Sequence, residues 1–552
     1  MAQQLDFTVG GLLDHIAGIY PDNDALVYPE RGIRYSYRQF NSICCQVAKG
    51  LLRLGIRKGD NVSIWAYNVP EWVILQFATA KIGAVLVTVN TNYKSAELEY
   101  ILNQSDSTTL FLVKSFKDTD YVQTLYEVVP ELKDAVPGTL RSEKLPFLKH
   151  AVFLDEDAPA GMITFERIVE MGLHVSDEEL ASIEKTLDRH EVINMQYTSG
   201  TTGFPKGVML THYNIVSNGF NIGECMRFTD KDRLCIPVPF FHCFGCVLGV
   251  LACVTHGATM VPVEIFDPLK VLQTIEKERC TAVHGVPTMF IAELEHPDFP
   301  KYDLSSLRSG IMAGSPCPIE VMKKVISQMN ASEITIAYGQ TESSPVITQT
   351  RTDDPIELRV ATVGRALPDV EVKIVDIETG ATLPPGKQGE LCTRGYLVMK
   401  GYYKMPEETA RAIDADGWLH TGDLAVMDEH GYCKITGRIK QMIIRGGENV
   451  YPREIEEYLY THPKISDVQI YGVPDRKYGE QVMAAVILKK GMAMTEEEVR
   501  EFCKGKIANY KIPRYVKFVD SYPMTASGKI QKFKLREMAI KELGLEGQGE
   551  TA

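Results

Sequence analysis

The sequence predicts an α/β fold, with a large N-terminal domain of βαβ-type sheets and a smaller α+β C-terminal domain. Short apolar runs alternate with helix-period runs over residues 35–93, and the alternation recurs over residues 233–285. Such alternation is typical of parallel strands covered by helices. The chain has 552 residues, which is too many for one compact core at roughly 150 residues per domain.

Periodicity defines the individual elements of these stretches. The predicted helices are residues 37–54, 71–82, 247–256 and 267–278. The predicted strands are residues 61–66, 84–89, 192–197, 233–237, 259–263 and 282–285. Ligands of parallel sheets bind beyond the carboxyl ends of the strands. The loop that follows strand 192–197 is therefore a candidate binding site.

The pattern changes after about residue 368, where the runs become shorter and alternate with period two, as at 370–375 and 389–393. Turn sequences such as Thr379-Gly380 separate them, which predicts the hairpins of a small β subdomain at about 368–437.

A domain boundary is predicted at about residues 437–440, where the chain becomes a self-contained β/α segment. The N-terminal domain would comprise residues 1–437 and the C-terminal domain residues 438–552. The elements predicted in the C-terminal domain are strands 467–471 and 482–488 and helices 454–461 and 495–507.

Composition and charge exclude several classes of function. Hydrophobic residues make up 45% of the chain and charged residues 24%, which is typical of a globular protein. A net charge of −13 argues against nucleic acid as a partner, because nucleic-acid binders carry clustered positive surface. The longest apolar run, residues 246–254, is too short to span a bilayer, and the first residues lack a secretory signal. We expect a soluble, cytoplasmic protein, and the sequence leaves open whether it forms a homo-oligomer.

The 12 cysteines are irregularly spaced, which favours reduced, buried thiols over a disulfide framework. Cys243 and Cys246 have the spacing of a redox dithiol, and Cys253 could join them in a metal site. We favour buried thiols in a pocket wall, because no second such pair lies in this region.

A stretch rich in hydroxyls and glycines follows strand 192–197 and is a candidate for binding phosphates. Its glycines let the backbone approach an oligophosphate, its hydroxyls and amides donate hydrogen bonds, and Lys206 adds positive charge. The spacing differs from a Walker loop, which requires Gly-Lys-Ser/Thr at a helix start. The residues predicted to bind phosphates here are Thr198, Ser199, Gly200, Thr201, Thr202, Gly203, Phe204, Pro205 and Lys206.

Residues 197–212 as a whole resemble the signature loop of the adenylate-forming enzymes, which include acyl-CoA synthetases, the adenylation domains of peptide synthetases and luciferases. Five further motifs occur in the order that this family shows, and the resemblance extends over residues 35–536. It implies an AMP-forming ligase that uses ATP, Mg²⁺ and coenzyme A and forms an acyl-adenylate intermediate.

Residues 313–316 and 337–342 resemble the two segments that enclose the adenine and meet the α-phosphate. By that resemblance Tyr338 packs against the base, Thr341 contacts phosphate and Glu342 ligates Mg²⁺. One carboxylate is enough, because Mg²⁺ is usually held by one or two carboxylates plus substrate phosphates. The other ATP-binding residues of these segments are Gly314, Ser315 and Ala337.

Two later motifs carry charged residues with implied roles. Asp423, in the segment 417–423, resembles the aspartate that accepts hydrogen bonds from the ribose, and Arg438 lies where the family has a ribose-and-phosphate arginine. Lys529 resembles the catalytic lysine, which also contacts ATP. A lysine between the acid and the α-phosphate would offset the repulsion of two anions. The predicted catalytic residues are Lys529, Thr341 and Glu342.

Residues 441–452 resemble the segment that enters the active site for the thioester step, after the C-terminal domain rotates about the hinge at Lys440. Adjacent glycines suit the passage of a thin pantetheine arm, and the plain alternative is a hairpin turn. The residues predicted for this step are Arg445, Gly446, Gly447 and Glu448.

The resemblance also implies a pocket for the acid. We expect His242 to position the substrate rather than act as a base, because a carboxylic acid is already ionised at neutral pH. Small residues among apolar walls suit a medium-length aliphatic chain or a compact ring. The predicted lining residues are Phe241, His242, Phe244, Val247, Gly314, Gly339 and Val346.

The chain most resembles the medium-chain acyl-CoA synthetases, so a medium-chain fatty acid is the expected substrate. An aryl- or cyclic-carboxylate CoA ligase is the alternative. A non-catalytic protein that binds acyl-CoA or nucleotide is a more distant one, because Lys206, Glu342, Asp423, Arg438 and Lys529 are all present.

Overall fold

A computed structural model describes residues 6–198, 205–315, 317–446, 448–525 and 529–546. It has a large α/β N-terminal part and a smaller α+β C-terminal part, which confirms the predicted fold class. The α-helices are Val9–Ile19, Tyr37–Leu54, Pro70–Lys81, Ser95–Gln104, Tyr121–Val128, Phe165–Gly172, Asp177–Glu184, His212–Cys225, Ala252–Val254, Pro268–Glu278, Pro287–Leu294, Ile319–Gln328, Ile356–Ala361, Pro406–Ala412, Pro452–Tyr460, Glu496–Cys503 and Lys532–Glu542.

The first large sheet has nine strands and is parallel in its centre and antiparallel at its edges. Its order in space is Arg365–Ala366, Val346–Gln349, Thr335–Gly339, Ser309–Met312, Ala282–Gly285, Arg233–Ile236, Thr259–Pro262, Asp24–Tyr28 and Ile33–Ser36.

The second large sheet has eight strands and is antiparallel at one edge only. Helix His212–Cys225 is buried along most of its length and contacts strands of both large sheets, so it lies between them. The order of the second sheet is Gly401–Tyr402, Lys206–Thr211, Val192–Thr198, Val85–Thr88, Asn61–Trp65, Thr109–Leu112, His150–Phe153 and Ile163–Thr164.

Two further sheets follow along the chain. A four-stranded antiparallel sheet is formed by Val370–Val375, Gln388–Gly395, Leu419–Met427 and Cys433–Arg438. The C-terminal sheet is formed by Glu448–Val450, Ile443–Arg445, Gly479–Leu488, Ile465–Asp475 and Tyr515–Phe518. The C-terminal part has its own buried clusters, around Val468 and around Tyr471, built from residues beyond 440.

Local sequence explains the helices that were predicted well. Helix Tyr37–Leu54 begins at a capping box formed by Ser36 and Gln39 and ends at Gly55, which has a φ of 103°. Its bounds match the predicted 37–54.

The helices expected at 71–82, 267–278 and 454–461 are shifted by one or two residues, and two other predicted helices differ more. The helix expected at 247–256 is a π-helix at Phe244–Leu251 followed by the short helix Ala252–Val254. A Cβ atom on Gly245 would lie 2.3 Å from the Pro239 carbonyl oxygen. The π-helix therefore packs closely against the backbone of Pro239. The periodicity of the sequence does not encode such a contact. The helix expected at 495–507 ends at Cys503, two residues before Gly505, whose φ is +69°.

Candidate active site

Asp423 and Arg438 are cross-strand neighbours in the four-stranded sheet. The Arg438 Nε donates a hydrogen bond to Asp423 Oδ1 at 2.7 Å, and the Tyr338 hydroxyl donates to Asp423 Oδ2 at 2.7 Å. The Asp423 side chain is only 4% exposed. Asp423 raises the pKa of Arg438, and burial raises that of Tyr338. The structure thus brings together three of the residues predicted to bind the nucleoside.

A second carboxylate fixes the backbone next to Asp423. Glu390 Oε1 accepts the backbone N–H of Gly422 at 2.9 Å, and Glu390 Oε2 lies 2.9 Å from His420 Nδ1. Together with Cys392, these two side chains place candidate ligand atoms within 4.8 Å of one another. Their hydrogen bonds to one another and to Gly422 hold the segment that carries Asp423.

Lys529, from the C-terminal part, lies at the same cleft. A Cβ atom on Gly314 would lie 3.7 Å from Lys529 Cε, and Gly314 has a φ of +87°. The Lys529 amide donates to Thr525 Oγ1 at 3.0 Å, which holds the loop. A side chain larger than hydrogen at position 314 would approach the lysine directly.

The electrostatic surroundings of Lys529 identify the residues that share its cleft. The residue as a whole is exposed to solvent by surface area, although many protein atoms surround its head group. Desolvation first and the charge of Arg438 second lower the pKa of Lys529, whereas Asp423 and Glu342 oppose that change. Lys529 is therefore close to the residues predicted for the ribose, the phosphates and Mg²⁺.

Glu342 and Lys206 are linked through Tyr402. The Tyr402 hydroxyl donates to Glu342 Oε1 at 2.8 Å, and Lys206 Nζ lies 4.9 Å from the centre of the Tyr402 ring. Lys206 also forms an ion pair with Glu408. Sequence reasoning missed Tyr402 and Glu408. No local signal marks them, because Tyr402 lies 60 positions from Glu342 and Glu408 lies 202 from Lys206.

The predicted phosphate loop connects the two strands of a hairpin. Thr198 and Lys206 are paired at the ends of strands Val192–Thr198 and Lys206–Thr211. The Pro205 carbonyl accepts a hydrogen bond from Tyr100 Oη at 3.0 Å. Six of the predicted residues lie outside the described part of the chain: Ser199, Gly200, Thr201, Thr202, Gly203 and Phe204.

The remaining predicted nucleotide residues lie on neighbouring elements. Ala337 is buried within strand Thr335–Gly339, and Thr341 lies with Glu342 on the short 3₁₀ helix Thr341–Ser343. Ser315 follows Gly314 directly after strand Ser309–Met312. These segments are adjacent because their strands pair in the first sheet.

The predicted acid-pocket residues include a buried histidine. His242 Nε2 is buried without a hydrogen-bond partner among the described residues. Its pKa is lowered to about 3, by desolvation first and by Lys529 second. The ring centroids of Phe241 and His242 are 4.4 Å apart. Of the other predicted residues, Phe244 is half-buried, and those almost fully buried are Phe241, Val247 and Val346.

Gly339 has a backbone reason to be glycine. A Cβ atom there would lie 1.8 Å from the Pro345 carbonyl oxygen in the adjacent hairpin. The missing side chain therefore permits close strand approach, and its role as an acid-pocket residue stays a prediction.

The segment predicted for the thioester step makes its hydrogen bonds within the C-terminal part. Arg445 Nε donates to Gln481 Oε1 at 2.7 Å, and the Gly446 amide donates to the Tyr478 carbonyl at 2.7 Å. Glu448 is exposed and pairs with Arg445 across the hairpin. Gly447 lies outside the described residues. The predicted hinge residue Lys440 lies on the 3₁₀ helix Ile439–Gln441, between Arg438 and this hairpin.

Cys243 and Cys246 are buried and not disulfide-bonded. Burial is the main cause that raises the pKa of Cys243, which opposes formation of a reactive thiolate. Gln196 Nε2 donates to Cys246 Sγ at 3.0 Å.

Within the part of the chain that the structure describes, no helix is both long and apolar enough to cross a membrane.

Comparisons with known proteins extend these observations. The AMP-binding enzyme family model matches residues 13–403, and the AMP-binding enzyme C-terminal domain model matches residues 454–529. YngI of Bacillus subtilis, whose name describes an acyl-CoA synthetase, is 61% identical over 545 residues, which cover 99% of each chain. The medium-chain acyl-CoA ligase ACSF2 of Bos taurus, named as mitochondrial, is 44% identical over 98% of this chain and 88% of that protein.

Solved structures show the same arrangement. The crystal structure of the anthranilate CoA ligase AuaEII in complex with anthranoyl-AMP matches with a TM-score of 0.84 and 27% identity, covering 98% of each chain. ATP-bound MatB from Rhodopseudomonas palustris matches with a TM-score of 0.82 and 28% identity, covering 97% of this chain and 99% of that chain.

Proposed function

This chain belongs to the AMP-binding enzyme family and is an AMP-forming acid–CoA ligase, and we propose that its acid substrate is a medium-chain fatty acid. The 44% identity to a protein named as a medium-chain acyl-CoA ligase supports this choice. The predicted pocket residues Phe241, Val247 and Val346 are apolar and buried. The Phe241 ring packs on His242, whose pKa is lowered by burial first and by the charge of Lys529 second. Buried apolar surface favours alkyl chains, at about 0.8 kcal/mol for each buried methylene.

The first step joins the acid to the α-phosphate of ATP and releases pyrophosphate. In our proposal Asp423 accepts hydrogen bonds from the ribose, with Arg438 holding its carboxylate, and Tyr338 packs against the adenine. The hairpin that ends at Lys206 holds the β- and γ-phosphates. Its strand Lys206–Thr211 pairs with the edge strand Gly401–Tyr402 of the second sheet, and Tyr402 links Lys206 to Glu342.

The position of Lys529 is the observation that carries this proposal. Its ammonium group lies in a cleft with Asp423 and Glu342, and its side chain approaches Gly314. From there it can contact both the acid carboxylate and the α-phosphate. It would stabilise negative charge as the oxygen of the acid bonds to phosphorus.

Glu342 fits the proposed Mg²⁺ site. It provides a carboxylate at the cleft, and oxygen ligands are what this cation requires. Bound there, Mg²⁺ would neutralise phosphate charge. The protein holds Glu342 in place through two hydrogen bonds. The Tyr402 hydroxyl donates to the Glu342 carboxylate, and the Met399 amide donates to the Glu342 carbonyl at 2.9 Å.

For the second step we propose that the C-terminal part rotates near Lys440 and that residues 445–448 enter the cleft. The CoA thiol then attacks the acyl-adenylate and displaces AMP. The hairpin's exposed surface supports this role, because Gly446 and Glu448 are accessible in the present orientation.

CoA-thioester formation across a panel of carboxylic acids tests the proposal. We expect kcat/KM to be highest for saturated acids of medium chain length and to fall for acetate and for benzoate. A preference for aromatic acids would contradict it and support the aryl-CoA ligase, the candidate favoured by the likeness to an anthranilate CoA ligase.

Acid-dependent exchange of labelled pyrophosphate into ATP tests catalysis separately from the choice of acid. Exchange with at least one acid is expected. Nucleotide binding without exchange for any acid would instead support a non-catalytic binding protein.

A further inference from the structure

A cavity of about 460 Å³ lies next to the end of the phosphate hairpin. Three of its lining residues are cationic and one is anionic, although the whole chain has a net charge of −13. This concentration of positive charge is local. The lining residues are Lys206, Tyr402, Glu408, Arg411, Ala412 and Lys440.

Glu408 is shared between two of these cations. Its carboxylate pairs with Lys206 Nζ through Oε2 and with Arg411 Nη1 through Oε1 at 2.5 Å. The hydrogen bond from Lys206 is the main cause that lowers the pKa of Glu408. Glu408 therefore occupies, with one negative charge, the position between the cations that a phosphate oxygen would take.

The helix that carries Glu408 and Arg411 is fixed against the site. The Tyr402 amide donates to Thr409 Oγ1 at 2.9 Å. A Cβ atom on Gly401 would lie 2.9 Å from Thr409 Cγ2, so helix Pro406–Ala412 packs directly on strand Gly401–Tyr402. Because Tyr402 also bonds Glu342, the cavity is continuous in structure with the predicted magnesium and phosphate residues.

Exposure differs between the two partners of Glu408. The Lys206 side chain is 19% exposed, whereas that of Arg411 is 70% exposed. Lys206 therefore faces the interior of the site and Arg411 faces the solvent. A polyanion that leaves Lys206 for solvent would meet Arg411 on its way.

We propose that this cavity is a binding site for inorganic pyrophosphate on its way out, with Arg411 as a ligand and Glu408 as a competing carboxylate. The inference rests on the proposed function, which makes pyrophosphate the leaving group of the first step. Two phosphoryl groups match a cluster of three cations better than a monoanion does. Glu408 recovers its ion pairs with Lys206 and Arg411 when pyrophosphate departs, and its negative charge favours that departure.

Calorimetric titration of the whole chain with magnesium pyrophosphate, without acid or CoA, tests the site. Arg411→Ala should raise the dissociation constant about tenfold, because one charge-assisted contact is lost. Glu408→Gln should lower it severalfold, because the competing charge is removed. Lys404→Ala is the matched control and should bind as wild type, since Lys404 pairs with Asp106 at 2.6 Å and does not line the cavity.

Wild-type affinity in both Arg411→Ala and Glu408→Gln would overturn the inference, and so would an equal loss in Lys404→Ala. Arg411→Lys, which keeps the charge, should recover part of the affinity and guards against a folding defect. Failure of the proposed function looks different, because the chain would then form no acyl-CoA from any acid whatever the three variants do to pyrophosphate binding.

Discussion

Two segments of the C-terminal part have predicted roles in different chemical steps, and they lie in different surroundings. Lys529 reaches into the cleft of the N-terminal part, close to Asp423, Glu342 and Arg438. The hairpin that contains Arg445 and Gly446 makes its hydrogen bonds within the C-terminal sheet. Ile444, in the same hairpin, is 52% exposed.

One orientation of the small C-terminal part therefore places one predicted functional segment at the cleft and leaves the other outside it. The structure has Lys529 at the cleft, which is the arrangement that our proposed acid-activation step requires. We infer that thioester formation needs a second arrangement, in which the hairpin replaces the lysine. If so, substitutions in the two segments should affect different half-reactions.

The largest expected effect is that of Lys529→Ala. Loss of one contact to the developing charge removes about 3 kcal/mol of stabilisation, or about a hundredfold in the rate of acyl-adenylate formation. Pyrophosphate exchange measures this step, and CoA-thioester formation from supplied acyl-adenylate should remain within about threefold. An equal loss of activity in both assays would contradict separate roles for the two segments. Lys534→Ala, an exposed lysine on the helix that follows, should leave both steps unchanged.

Asp423→Asn should have the next largest effect, because it replaces a buried carboxylate that Arg438 and Tyr338 hold. A charged hydrogen bond contributes about 2 kcal/mol, so kcat/KM for ATP should fall about thirtyfold. Steady-state kinetics with varied ATP measures it, and Asp416→Asn, an exposed carboxylate on the same subdomain, is the control. An unchanged kcat/KM for ATP would remove Asp423 from nucleotide binding.

Gly446→Val should slow the other half-reaction. Gly446 has a φ of +62°, and a Cβ atom there would lie 3.0 Å from Tyr478 Cδ1. A β-branched residue in this conformation costs roughly 1–2 kcal/mol, so thioester formation should fall about tenfold while pyrophosphate exchange is retained. Gly491→Val is the matched control, since Gly491 has a φ of +79° in open space. A selective loss of exchange in Gly446→Val would reverse the assignment of the two segments.

The smallest expected effect concerns the pKa of His242, which is lowered to about 3. Burial is the main cause and the positive charge of Lys529 the second. Removing that charge in Lys529→Ala makes protonation easier, so the pKa of His242 should rise, as measured by NMR titration. His284, whose pKa of about 4 has no contribution from Lys529, should not move. An unchanged His242 would mean that Lys529 does not occupy the cleft in solution.

The lowered pKa of His242 also predicts how the free energy of unfolding depends on pH. The pKa of His242 is lower in the folded protein than the ordinary value of 6.5, so the unfolded chain binds more protons between about pH 6.5 and 3. The free energy of unfolding should therefore fall as the pH drops through this window. Denaturant unfolding at two pH values measures the slope, which should be shallower in His242→Phe.

Local patterns predicted most of the fold, and the family resemblance predicted several residues that the structure brings together at the candidate site. The bounds of helix Tyr37–Leu54 were predicted correctly, because a capping box and a terminal glycine next to the helix define its two ends. The predicted Asp423 and Arg438 lie together because a short hairpin pairs their strands. The contacts of Tyr402 with Glu342 and of Glu408 with Lys206 were not predictable, because the partners lie 60 and 202 positions apart in the chain. The π-helix at Phe244–Leu251 was missed because periodicity does not encode the close packing of Gly245 on Pro239.

The sequence by itself determined the α/β architecture, the order of its motifs and the residue types available for chemistry. The architecture follows from patterns within a few positions of the chain, such as hydrophobic periodicity, helix caps and turn residues. Only the tertiary structure decided that Lys529 approaches Gly314 and that Glu408 pairs with Lys206. Contacts of that kind form when separate layers pack together, and their partners are chosen by shape and charge across the fold rather than by neighbours in the chain.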